Sequence, residues 1–128
     1  MGVDFQEIDD VRESIENFGD RFLRRICTDD EIDDCRRNAQ STAGALASRF
    51  AAKEAVFKIL KDGDVVATWH DIEVRRLESG QPTVTLHGGA ATLAAQQGIT
   101  TIFVSLSQSR RTAAALVVAE SDARGSDQ

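Results

Sequence analysis

Apolar residues recur at helical spacing through most of the first half of the chain and at alternate positions through most of the second, and the change falls near residue 65. The first eight residues are the exception: Val3 and Phe5 fall on one side of a short predicted strand and Asp4 on the other. Val11, Ile15 and Phe18 mark an amphipathic helix that Gly19 interrupts, and a second segment carries Phe22, Leu23 and Ile26. Thr28-Asp29-Asp30-Glu31 has the capping-box form, so a helix is expected from residue 29 past Cys35. Ser41 or Thr42 caps a long helix predicted to end near Gly63. Beyond it, 71–77 and 83–87 alternate through Ile72, Val74, Val84 and Leu86 around Ser79-Gly80-Gln81-Pro82, which reads as a hairpin. An alanine-rich helix over 89–97 stops at Gly98. Strands over 99–107 and 112–120 pair across Gln108-Ser109-Arg110-Arg111. The expected class is α+β, with helices concentrated in the first half and an antiparallel sheet in the second.

The long helix carries charge on its apolar side. At about 100° per residue, Leu46, Phe50, Phe57 and Leu60 fall in one narrow arc, with Lys53 inside it and Glu54 at its edge. Lys58 follows Glu54 by four residues and shares its surface. Burying such groups costs several kcal/mol unless something pairs with them. A metal ion or a phosphate fits that role. The plainer alternatives are that Lys53 runs its amine past the core edge and that Lys58 makes an exposed ion pair with Glu54.

At 128 residues and 41% hydrophobic content the chain suits a single domain over 1–120. Residues 121–128 hold no large apolar side chain and are expected to form a disordered tail. A net charge of −6, from 21 acidic and 15 basic residues, argues against nucleic acid or an anionic membrane as the main partner. It leaves room for a small anionic ligand held locally. No run approaches the roughly 18 apolar residues of a membrane span, and no basic-then-apolar leader is visible, so a cytoplasmic location is expected. Cys27 and Cys35 lack the spacing of a zinc or redox pair, and neither His70 nor His87 completes a metal motif with them. Trp69 is expected to pack on the sheet, and the acidic run 29–34 to form a solvated helix face.

Four pieces in order carry a family resemblance: Gly2-Val3-Asp4 with Glu7-Ile8; Arg49-Phe50-Ala51-Ala52-Lys53-Glu54-Ala55 with Lys58; Asp71-Ile72-Glu73-Val74 with Gly80-Gln81-Pro82; and Val104-Ser105-Leu106-Ser107 with Ala113-Ala114-Ala115 and Val117-Val118-Ala119-Glu120. Together they resemble the holo-acyl carrier protein synthase family, small trimeric 4′-phosphopantetheinyl transferases. The resemblance implies that family's α+β fold, a trimer with its coenzyme A site between subunits, and transfer of 4′-phosphopantetheine from coenzyme A to a serine of an apo acyl carrier protein, releasing adenosine 3′,5′-bisphosphate. By motif match it implies Asp4 and Glu54 as ligands of Mg2+, Glu54 and Lys58 as catalytic groups with Lys58 beside the pyrophosphate, and Arg49, Gly63, Gly80 and Pro82 along the nucleotide. Asp4 by itself reads as a solvated strand residue; the matching Glu54 gives it the other role.

The chain departs from the family pattern at three points. Gln108 stands where members usually carry histidine after the Ser-Leu-Ser strand, and an amide cannot take a proton near neutral pH. Lys61-Asp62-Gly63 replaces the usual Gly-Thr-Gly turn. Asp9 and Asp10, with only Arg12 nearby, occupy a first helix that normally offers basic residues to the acidic carrier, which points to a dedicated carrier as the alternative to the general one. Two rivals stand beside the active transferase: a silent relative that binds coenzyme A or a synthase partner, and an unrelated α+β thioester hydrolase.

Overall fold

The charged helix is the element around which the others are arranged. In the computed structural model, which describes residues 1–37, 41–60, 63 and 65–121, it spans Thr42–Ile59 (α4). Ser41 caps it, its Oγ accepting from the Gly44 amide at 3.0 Å, which satisfies one of the N–H groups left open at a helix start. It stops at Ile59, short of Gly63, because Leu60 turns to extended geometry and buries its side chain. Lys61, Asp62 and residues 122–128 lie outside the described residues, so the expectations for the altered turn and the tail fall there in whole or in large part.

Ala43 through Arg49 are buried in unbroken succession, so the first turns of α4 present no polar face. A helix covered on all sides must be small where its neighbours come close, and alanines and Gly44 supply that. Helices α1 (Ile8–Phe18), α2 (Asp20–Ile26) and α3 (Asp29–Arg36) cover its N-terminal half. They contribute Ile8, Val11, Leu23, Ile26 and Ile32 to a core with Leu46. Strands β1 (Gly2–Glu7), β4 (Ile99–Gln108) and β5 (Thr112–Ser121) form an antiparallel sheet in the order β1-β5-β4. The hairpin of β2 (Ile72–Arg76) and β3 (Pro82–Leu86) forms a second, two-stranded sheet, and α5 (Gly88–Gln96) packs its Ala90, Leu93 and Ala94 into the core beside Val56 and Ile72. The first strand thus joins the last two rather than standing apart.

Strand alternation assigns the two faces of the larger sheet. Ala113, Ala115 and Val117 are buried, and Val3, Phe5, Phe103, Leu116 and Val118 are exposed on the opposite face. Gly2 lets β1 lie close to the helix: a methyl there would overlap the Ala55 carbonyl oxygen and crowd the Ile59 and Val117 side chains at 3.1 and 3.2 Å.

Two expectations are corrected. Lys53 does not run past the core edge. It is fully buried, with its Nζ 2.9 Å from Glu31 Oε1, 2.9 Å from the Trp69 carbonyl and bonded also to the Ile72 carbonyl. Its partner is a carboxylate of this chain, neither a metal nor a phosphate. The acidic run is consequently not all solvated: Glu31 is fully buried, accepts from the Thr28 and Val74 amides at 2.9 and 2.8 Å, and completes the capping box of α3. Trp69 packs its ring against α4, 5.1 Å from Phe50 and 5.0 Å edge-on from Phe57 between ring centroids.

Cys27 and Cys35 are buried, unpaired thiols. Burial, with Glu31 nearby, raises the Cys27 pKa, and burial takes that of Cys35 to about 11. Among the described residues no helix is long and apolar enough to cross a membrane.

Removing one partner of a buried ion pair costs about 3–5 kcal/mol because the other charge is left stranded. Lys53→Met should therefore destabilise the fold by about that much, measured by urea unfolding. Gly2→Val, which forces β1 off the helix, should cost about 1–3 kcal/mol in the same measurement.

Candidate active site

Asp4 and Gln6 are the half-buried members of β1 between exposed Val3, Phe5 and Glu7, so both lie on the side that carries buried Gly2 against α4. Asp4 stands opposite Ala115 in the β1–β5 register, and the small residues there leave its carboxylate room. Lys58, from the last turn of α4, places Nζ 2.9 Å from Asp4 Oδ1 and 2.9 Å from the Val3 carbonyl. Gln6 Nε2 donates to Asp4 Oδ2 at 2.7 Å. Glu54 lies one helical turn before Lys58. Partial burial raises its pKa, the Asp4 charge raises it further, and Lys58 opposes both. In place of the plainer alternative, an exposed pair of Lys58 with Glu54, Lys58 pairs with Asp4, which leaves Glu54 within the field of both.

Two carboxylates sharing one ammonium leave one negative charge uncompensated. Hard oxygen donors in such a set fit a divalent cation such as Mg2+, which takes few protein ligands and fills the rest of its shell with water and phosphate oxygens. Among the described residues no group of three histidine, cysteine, aspartate or glutamate side chains forms a closed metal site. The arrangement suits a cation shared with a bound substrate.

Of the other residues expected at the site, Arg49, Gly80 and Pro82 lie away from Lys58 with the arginines beside the N-terminal half of the helix, whereas Gly63 follows its C-terminal end. Arg49 lies nine residues before Lys58, about 14 Å along the axis at 1.5 Å per residue. Its side chain is only 3% exposed, Nη1 donates to the Ala45 carbonyl at 3.1 Å, and Nη2 is 3.9 Å from Asp34 Oδ2, while Nε has no partner among the described residues. Asp34 also binds Arg75 at 2.7 Å and Arg37 at 2.9 Å. Partial burial would raise its pKa, but the hydrogen bond and charge of Arg75, with Arg49 and Arg37, hold it below the usual carboxylate range. A recess of about 220 Å³ is bounded by Asp34, Arg37, Arg49 and Arg76. Arg76 also borders a cleft of about 600 Å³ with Arg12, Ser41, Gln108 and Arg110.

Gly80, with φ +90, makes the hairpin turn, and its carbonyl accepts from Arg76 Nη1 at 2.6 Å. Pro82 is the cross-strand partner of Arg76. The Gly80–Pro82 turn therefore belongs with the arginines. Gln108 accepts from Ser48 Oγ at 3.2 Å and lies so close to Gly44 that a methyl there would overlap it. Gly63 is exposed, and a methyl on it would meet Leu93 at 2.8 Å. Sequence reasoning passed over Gln6 and Arg76. The first was signalled by its place two residues after Asp4 on a strand, the second by its place across the hairpin from Pro82.

Residues 1–117 match the family model described as the 4′-phosphopantetheinyl transferase superfamily. A holo-[acyl-carrier-protein] synthase of Desulforudis audaxviator is 41% identical over 93% of this chain and 90% of its own length, and that of Koribacter versatilis is 42% identical over 93% and 95%. Among solved structures, the holo-[acyl-carrier-protein] synthase of Neisseria meningitidis superposes with a TM-score of 0.82 at 30% identity, covering 93% of this chain and 95% of that one. The Helicobacter pylori synthase in complex with coenzyme A gives 0.78 at 25% identity, covering 93% and 98%. With a matching fold, matching length and the Asp4–Glu54–Lys58 cluster assembled, the chain belongs to the holo-acyl carrier protein synthase family of 4′-phosphopantetheinyl transferases.

Proposed function

We propose that the chain transfers 4′-phosphopantetheine from coenzyme A to a serine of an apo acyl carrier protein in a Mg2+-dependent reaction, releasing adenosine 3′,5′-bisphosphate. The observation that carries this reading is the meeting of Asp4, Glu54 and Lys58 from the two ends of a strand-to-helix seam. Relatives of this fold solved with coenzyme A support the nucleotide as substrate.

Asp4 and Glu54 would hold the cation, which would supply charge neutralisation for the pyrophosphate as the bond breaks. Lys58 is exposed enough to turn from Asp4 to the pyrophosphate, where its ammonium offsets the charge of the leaving group. The carrier serine oxygen attacks the phosphorus that bears the pantetheine arm, and the bond to the bridging oxygen breaks. The serine proton leaves to Glu54 or to a water at the site. Arg76 and the Gly80–Pro82 turn offer the basic surface for the nucleotide phosphates, and Arg49, which lines the recess beside Arg76, adds its charge from a buried position.

The exposed outer face of the sheet supports a homotrimer. Val3 pairs with Leu116 and Phe103 with Val118 across the strands, so the apolar side chains form one patch that water would otherwise cover. In such a trimer the two ends of the nucleotide site are completed by adjacent subunits. Gln108, which cannot shuttle a proton, favours the silent coenzyme A-binding relative as the second reading.

Incubation with coenzyme A, Mg2+ and a panel of apo carriers, followed by mass spectrometry, should show the arm on at least one carrier; an unchanged panel sinks the active reading. Asp4→Asn and Glu54→Gln should each lower kcat by about 10²–10³. Because the folded pKa of Glu54 is raised, its contribution to stability is present below the ordinary carboxylate range and fades as pH rises through the folded value. Glu54→Gln should accordingly show a higher Tm than the parent at pH 7 without metal, the gap closing toward pH 4. Leu116→Lys should convert a sedimenting trimer of the 13.9 kDa chain to monomers.

A further inference from the structure

Gln6 holds one oxygen of Asp4 and has no role in the reading given so far. Its Nε2 lies 2.7 Å from Asp4 Oδ2. A carboxylate only accepts, so the amide group facing it is the donor end. Asp4 has few other means of being fixed. Across the strands it faces Ala115, and Gln6 faces Ala113, neither of which carries a polar side-chain atom. The other carboxylate oxygen is held by Lys58, whose side chain is 53% exposed and whose proposed task takes it to the pyrophosphate. When Lys58 turns away, Gln6 is the side chain that still holds Asp4.

We propose that Gln6 is a positioning residue that fixes the Asp4 carboxylate through Oδ2 and leaves Oδ1 as the oxygen open to a divalent cation, an inference that rests on Asp4 and Glu54 being the cation's ligands. A cation that tolerates little departure from octahedral geometry gains from a carboxylate held to one oxygen and one orientation. Side chains that orient metal-binding carboxylates change affinity by about 10–100-fold when removed. Gln6 acts on Asp4 and touches no reacting atom, so its signature is in metal affinity and not in carrier binding.

The test titrates the full chain, saturated with coenzyme A, with Mn2+, reading free Mn2+ by electron paramagnetic resonance against a protein-free coenzyme A blank, for the parent, Asp4→Asn, Gln6→Met and Gln6→Val. Met keeps the length of the side chain without a donor, and Val suits a strand if Met does not fold. Asp4→Asn should lose binding, and the Gln6 variants should bind about tenfold more weakly with Tm within a few degrees of the parent. The Mg2+ concentration for half-maximal transfer should rise by the same factor while KM for the carrier stays unchanged. Gln6 variants that bind Mn2+ like the parent, when Asp4→Asn does not, overturn the role of Gln6 and leave the site reading standing. An Asp4→Asn chain that binds like the parent, or a parent that does not bind, overturns the site reading and this inference with it. If both Gln6 variants fail to fold, the residue serves the fold and the inference is wrong.

Discussion

The gap between the first strand and the long helix is set by what both surfaces lack. Gly2 has no side chain, Ala55 beneath it has one methyl, and Ala113, Ala115 and Val117 fill the next strand with little more. Backbones can come this close only where side chains are nearly absent. The same closeness brings a carboxylate from residue 4 within 2.9 Å of an amine from residue 58. The proposed site is therefore a by-product of the seam: widen it by one methyl and the ion pair, the shared field on Glu54 and the grip of Gln6 are all disturbed together.

Lys53 and Glu54 show how neighbouring positions on a helix divide labour. A rotation of about 100° separates them. Lys53 points inward to Glu31 and two backbone carbonyls, tying α3, the Trp69 turn and β2 to α4. Glu54 looks instead toward β1. The first is a fixed charge that organises the interior, and the second is a charge left short of a partner. Within α4, one of these residues secures the fold and the proposed chemistry rests on the other.

Much of the architecture was legible before the coordinates. The capping box at Thr28, the cap at Ser41, the hairpin turn and the last two strands follow from local spacing, and local spacing is what periodicity reports. The errors concern contacts between distant segments. Glu31 meets Lys53 across 22 positions and the Val74 amide across 43, and no helical or strand period predicts such a meeting. Trp69 follows the same pattern, since its partners Phe50 and Phe57 are set by how the Thr68 turn returns to α4. The site trio was legible through resemblance rather than spacing, because Asp4 and Lys58 stand 54 positions apart. The resemblance also sets Arg49 beside the nucleotide, and the structure adds only that its side chain lies in the N-terminal half of α4, buried and lining a recess with Arg37 and Arg76.

Cys27 and Cys35 sit beneath α4 with their thiols shielded and their thiolate forms disfavoured. A maleimide dye offered to the native fold would find neither. A cysteine introduced on an exposed position of α1 would then be the single handle for a fluorophore, so carrier docking could be followed by spectroscopy without removing the natural sulfurs.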